Sequence, residues 1–227
     1  MKRVLGYFLI LFIISSCTTQ KGLKKYYYPF KNLNNSKVYK YVDRNNKKNI
    51  EYWKVISIPK RNELKTVSYN SEFKIFNTFD EIITKTGAIL KNYSDYEENV
   101  SGILTPNLTE VIEKDVFKWN GDKTYSYSIK YKNQHGRFDL KKKRTELGLI
   151  NITINGKEYE ALKFKGEYFI NAIDQSDSYG FYQFSYYANG IGMIMREMHF
   201  PKEVRIMELT EILDEREFED LKEKASR

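Results

Sequence analysis

The stretch Ile150-Asn151-Ile152-Thr153-Ile154-Asn155-Gly156-Lys157-Glu158-Tyr159-Glu160-Ala161-Leu162-Lys163-Phe164 decides how this chain folds. Ile150, Ile152 and Ile154 alternate with polar residues, the period of a strand with one buried face. Asn155-Gly156 follows at once, and an apolar run resumes over 159–164. Asn-Gly between two such runs marks a tight hairpin, because a type I′ turn needs positive φ at both central positions. The same device is predicted further on, with an aromatic strand over 181–187, Asn189-Gly190, and a return strand over 191–198. Gly190 takes the positive-φ position. Gly192, one strand step later, allows a bulge or tight bend that curls the sheet.

Working outward, Asn120-Gly121 marks another hairpin. It leads into Tyr125, Tyr127, Ile129 and Tyr131, which alternate with Ser126, Ser128 and Lys130. Towards the N-terminus, Val38 and Tyr41 and the run 52–58 predict two strands around a turn at 43–49, with Pro59 ending the second. Short apolar stretches follow over 65–69 and 73–79. Residues 80–90 are ambiguous: Phe79, Ile82 and Ile83 fit a helical turn, while Ile and Thr favour strands. Residues 204–209 read as a last strand. Leu213, Phe218 and Leu221 in the charge-rich stretch 214–224 have near-helical spacing, the mark of a C-terminal helix or frayed tail. Glycine is moderate at 12 and proline scarce at 4. No long linker and no clean repeat interrupts the pattern. The fold class is therefore mainly β: an antiparallel curved sheet forming a half-barrel or open barrel, with short helical segments, one of them C-terminal. A two-sheet sandwich is the main alternative.

The first residues carry an address. Lys2 and Arg3 form a positive start, Val4 to Ile14 is apolar except for Gly6, and Ser15-Ser16 precede Cys17. That order is the pattern of a cleaved export signal, too short to span a bilayer. Cys17 is the only cysteine, so no disulfide accounts for it. Acylation of its sulfur does, since several acyl chains together anchor stably where one binds marginally. The expected organisation is a lipoprotein signal peptide over 1–16, a tether over 17–25, and one β-rich domain over 26–227. Thr18 after the anchor is not Asp, which points to the outer membrane, with the domain facing the periplasm.

The chain carries +8, from 38 Lys and Arg against 30 Asp and Glu. This basic excess is dispersed, mostly in loops such as 44–48 and 141–144, which argues against nucleic acid as a partner. A weak attraction to anionic headgroups suits a domain held near a membrane. Signatures of chemistry are missing. His135 sits in a turn and His199 at a strand end, and neither has a second metal ligand at binding spacing, so no metal or other cofactor is expected. There is no Gly-x-Ser-x-Gly elbow, Walker A loop, Rossmann fingerprint or His-Glu-x-x-His. Asp174 and Asp177 lack the ligand spacing of a calcium loop and read as a solvated turn. No catalytic residue emerges. The aromatic strands are the feature able to carry binding, with Tyr125, Tyr127, Tyr131, Tyr182 and Tyr186 as candidate ligand-facing residues on a concave face. Aromatics on strands also serve simply as core.

Two motifs carry a resemblance. Tyr27-Tyr28-Pro29-Phe30 followed by Val38-Tyr39-Lys40-Tyr41, and Phe184-Ser185-Tyr186-Tyr187-Ala188-Asn189-Gly190-Ile191-Gly192-Met193-Ile194, resemble elements of a loose group of bacterial lipoproteins and envelope proteins of unknown function. The resemblance implies an antiparallel half-barrel, comparable in outline to periplasmic carriers that cup hydrophobic ligands. It transfers no active-site residue. The function expected is a non-enzymatic envelope lipoprotein that binds a hydrophobic ligand on a curved sheet. The alternative is a structural or assembly module that recruits an envelope partner protein.

Overall fold

The computed structural model of the protein describes residues 22–98, 102–175 and 177–226. The expected signal peptide and Cys17 lie outside the described residues. Thirteen strands follow one another: β1 (Lys37–Asp43), β2 (Ile50–Ile58), β3 (Glu63–Tyr69), β4 (Ile75–Ile83), β5 (Gly87–Glu98), β6 (Leu104–Pro106), β7 (Leu108–Lys118), β8 (Thr124–Asn133), β9 (Gly136–Ile154), β10 (Lys157–Ala172), β11 (Asp177–Ala188), β12 (Gly192–Phe200) and β13 (Glu203–Asp214). Among the described residues one α-helix, α1 (Glu215–Ala225), follows β13.

Each strand pairs antiparallel with its neighbour in sequence, except that β5 pairs with β7 past the short β6, which pairs with β5 alone. β1 then pairs with β13, from Lys37↔Asp214 to Asp43↔Met207. Twelve strands thus form a closed up-and-down barrel, with β6 as an extra strand. The expected curved antiparallel sheet is present, and it runs on to full closure, which leaves those twelve strands without a free edge. The ambiguous 80–90 stretch is strand on both sides of a turn at 84–86.

The hairpins have local causes. Asn155 and Gly156 take φ of 49° and 78° between the paired Ile154 and Lys157, the backbone of a two-residue I′ loop. At Asn189-Gly190 only the glycine has positive φ, 72°, and the Ile191 amide donates to the Ala188 carbonyl. That loop is therefore not a second copy of the I′ turn. Gly192, with φ of 100°, is also where the Tyr28 ring packs: a Cβ there would lie 2.4 Å from the ring.

The helix is the expected C-terminal one. Asp214 and Glu217 form a reciprocal capping box at its start. Phe218 is fully buried against Tyr52, Tyr69 and Phe73 on the outside of the barrel.

The main core lies inside. Residues 22–33 enter the end of the barrel where β1 begins and β11 finishes. The Gly190 amide donates to the Lys25 carbonyl and the Ser57 amide to the Leu33 carbonyl. Tyr26, Tyr27, Tyr28 and Leu33 are buried. Tyr27 packs on Phe117, Trp119 and Tyr187, and Tyr28 on Tyr39. The stretch read as a tether is thus shortened, because Leu23 to Lys25 already belong to this plug: Leu23 opens a 3-10 turn, Leu23–Tyr26, and packs on the core.

One reading of charge is corrected. The basic run 141–144 is not a loop but the middle of β9. Alternation sends Lys141 and Lys143 to solvent, while Lys142 and Arg144 are buried inside the barrel.

Candidate functional site

Above the plug, the barrel lumen holds a partly open cavity of about 220 Å³. Its floor is Tyr27 and Tyr28. Its walls are Trp53, Phe79, Tyr93, Tyr127, Tyr168 and Tyr187, with Thr66, Ser68, Asn77 and Gln183 as polar points between them. This lining follows from strand period: residues 66 and 68 on β3, 77, 79 and 81 on β4, 142 and 144 on β9, and 183 and 187 on β11 share one face of their strands.

Three cations reach this space, Lys142 and Arg144 from β9 and Arg196 from β12, against one lining carboxyl, Glu81 from β4. Arg144 is 5% exposed. Its Nη1 donates to the Val116 carbonyl at 2.9 Å and its Nη2 to the Tyr187 hydroxyl at 2.8 Å. Its guanidinium lies 4.9 Å from the Phe164 ring centre and 5.2 Å from that of Tyr187. Arg196 pairs with Glu51, which also accepts from the Trp53 indole, and it covers the Trp53 ring at 4.9 Å. The Nε of Arg144 and that of Arg196 have no acceptor among the described residues.

Lys142 differs from both. It is 8% exposed, and no carboxylate pairs with it among the described residues. Its ammonium stands over two rings, 4.5 Å from the centre of Tyr168 and 5.8 Å from that of Tyr127. Burial, with the Arg144 and Arg196 charges beside it, holds this ammonium well below the ordinary lysine range. Gly166 on β10 makes room for its stem, since a Cβ there would stand 2.9 Å from Lys142 Cε.

Glu81 is the counterpart. Tyr27 donates its phenol hydrogen to the Glu81 carboxylate. Burial pushes the Glu81 carboxyl up to about 7, against that hydrogen bond and the Arg144 charge, which pull it down. Near neutral pH much of the acid is therefore uncharged, and the same burial favours the neutral amine of Lys142 while the lumen holds no anion.

The candidate aromatics divide between the two faces. Tyr127 lines the cavity. Tyr125 and Tyr131 point inward beside it: Tyr125 packs on Phe164, and Tyr131 stacks on Phe138 at 5.0 Å. Tyr182 and Tyr186 lie on the opposite face of β11 from Gln183 and Tyr187. Tyr182 is 38% exposed and stacks on His199 at 4.4 Å, while Tyr186 donates to Glu197 at 2.8 Å. Asn189, Gly190 and Gly192 lie at the plugged end, where Gly190 and Gly192 touch residues 25 and 28. Among the described residues no three His, Cys, Asp or Glu side chains gather as metal ligands.

The residues missed from sequence are the charged ones, Glu81, Lys142, Arg144 and Arg196. A signal for two of them was present. Phe138, Leu140, Lys142 and Arg144 share one parity, so two apolar residues mark the inward face on which the two cations stand.

No protein-family model and no curated protein matches the sequence. Among solved structures, the chain is similar to a candidate lipoprotein from Parabacteroides distasonis ATCC 8503. The two are 16% identical with a TM-score of 0.52, over 79% of this chain and 95% of that one. A candidate exported protein with a YmcC-like fold from Bacteroides fragilis NCTC 9343 aligns at 14% identity and a TM-score of 0.49, over 79% of this chain and 96% of that one. At such identity the first likeness carries the fold: this chain is a mainly antiparallel β-barrel of the kind adopted by the Parabacteroides protein.

Proposed function

We propose that this chain is a bacterial envelope lipoprotein that works by holding a small ligand in its barrel lumen and not by catalysis. The observation that carries the binding reading is Lys142, a buried amine with no ion-pair partner among the described residues, lining a cavity of about 220 Å³. Burial without a counter-ion disfavours the charged form of this amine, and an anion seated beside it would favour the ammonium. Room for roughly seven waters, at about 30 Å³ each, suits a small molecule better than a long acyl chain. The lumen thus favours a compact ligand with polar contacts over a long hydrophobic one.

The address rests on the positive start, the apolar run and Cys17. Acylated Cys17 joins the protein to the membrane, with the outer membrane facing the periplasm as the site. The outer face of the barrel supports tethering over spanning. Lys141 and Lys143 on β9 and Glu167 on β10 are exposed there, with Lys165–Glu167 and Lys141–Glu113 ion pairs across it. A spanning barrel turns an apolar band to lipid at these positions. Cys17→Ser should move the protein from the membrane to a soluble fraction, and palmitate labelling should disappear with it; retention in the membrane overturns the anchor. Native mass spectrometry of mildly extracted protein should show a small adduct, and its consistent absence counts against ligand carriage.

A second reading, recruitment of an envelope protein, is favoured by the outer face of β10–β11, where Phe169 and Tyr182 are exposed at 56% and 38%. Crosslinking in intact envelopes that returns monomer alone would dismiss it.

A further inference from the structure

We propose that the ligand is a small anion, a carboxylate or a phosphate monoester, carried on a flat apolar body, with the Lys142 ammonium as its charge partner. This rests on the reading of the lumen as a binding site and specifies what enters it.

Three features of the lumen converge on that chemistry. The first is charge. Lys142, Arg144 and Arg196 face Glu81 alone among the lining residues, and Glu81 is engaged by the Tyr27 hydroxyl. Arg196 has its own carboxylate in Glu51, and Arg144 is held by a carbonyl and a phenol. Lys142 alone is left with rings. An anion placed there gains charge-assisted hydrogen bonds in a setting poor in water, where they are strongest. The unpartnered Arg144 Nε is a further donor on the same strand face.

The second feature is that the lysine head is packed among side chains inside the barrel. Its stem passes over Gly166, where a Cβ would stand 2.9 Å from Lys142 Cε, and its head lies 4.5 Å from the Tyr168 ring centre. A solvated surface lysine has no such cradle. The third is shape. Tyr127 and Tyr168 present ring surfaces around the ammonium, and the space of about 220 Å³ is below the 300–1,000 Å³ of drug-sized sites. A single ring with one anionic group meets all three conditions. A cationic ligand would meet uncompensated like charge.

The test uses the full chain in detergent micelles, titrated calorimetrically with benzoate, phenyl phosphate and their neutral relative benzyl alcohol. The two anions should bind at least tenfold more tightly than benzyl alcohol, and the tighter of them tells carboxylate from phosphate recognition. Lys142→Met should weaken the anions at least tenfold and leave benzyl alcohol within about twofold. Lys141→Ala, one residue away on the outer face, should change neither. Equal binding of charged and neutral probes by the unmodified protein overturns the anion assignment while the lumen stays a ligand site, and this comparison does not depend on any variant folding. Binding of no probe overturns both readings. An equal loss in Lys141→Ala and Lys142→Met overturns the assignment to the lumen.

Discussion

The Tyr27 hydroxyl donates to the Glu81 carboxyl inside the barrel, and that bond joins the N-terminal plug to the wall of the cavity. The pair makes the plug sensitive to pH. Glu81 is raised to about 7 by burial, from an unfolded value near 4.5. Between those values the native chain holds a proton that the unfolded chain has released, so stability falls as pH rises through this window. The stabilisation is complete below about pH 4.5 and gone above about pH 7. Its size is on the order of 3 kcal/mol at most, at about 1.4 kcal/mol per pH unit. Urea unfolding at pH 5 and pH 8 should show this loss in the native sequence, and Glu81→Gln should flatten it. An unchanged slope in Glu81→Gln would assign the effect elsewhere.

Lys142 has the opposite sign. Its native pKa lies well below the ordinary lysine value because of burial and the neighbouring arginines. Between the native value and about 10.4 the unfolded chain holds the extra proton, so stability rises with pH there. Lys142→Met removes a buried amine whose protonation favours the unfolded chain, and should stabilise the protein by about 1–4 kcal/mol at neutral pH. A variant that is more stable yet binds anions poorly would fit a residue kept for its ligand and not for the fold. A lower urea midpoint in Lys142→Met would contradict this.

Gly192 and Gly190 should respond differently to the same change. An alanine Cβ at 192 would meet the Tyr28 ring at 2.4 Å, at a φ of 100°. The plug must then shift, at a cost of about 3 kcal/mol from strain and lost packing together. At 190 the added Cβ meets nothing within 4 Å, so only the positive φ of 72° is strained, at about 1 kcal/mol. Paired urea curves check the ranking, and limited proteolysis should cut the 22–33 segment faster in Gly192→Ala alone.

The C-terminal helix should be held chiefly by one ring. Phe218 is fully buried among Tyr52, Tyr69 and Phe73. Phe218→Ala should cost about 3–5 kcal/mol. Asp214→Ala, which removes one half of the capping box, should cost about 1 kcal/mol. Circular dichroism at 222 nm should drop in the first variant and hold in the second.

Local features were readable from residues alone. Alternation at 150–154, the Asn155-Gly156 turn, the alternation at 125–131 and Pro59 after β2 each gave strands where strands occur. They act over a few residues, through φ preference and side-chain period, so one stretch suffices to read them. Phe218 and Leu221 marked the helix for the same reason.

Closure and the site were decided in three dimensions. β1 meets β13 only after the whole meander has curled, so Lys37↔Asp214 leaves no local trace. The plug depends on Tyr27 finding Glu81 and Tyr28 finding Gly192, contacts between residues far apart in the chain. The run 141–144 shows the division within four residues. Composition reads it as four solvated charges. A strand set into a closed wall turns Lys142 and Arg144 into the lumen and leaves Lys141 and Lys143 in water. The physical reason is that period two is written in the chain, whereas which of the two faces is the inside is fixed only when the barrel closes.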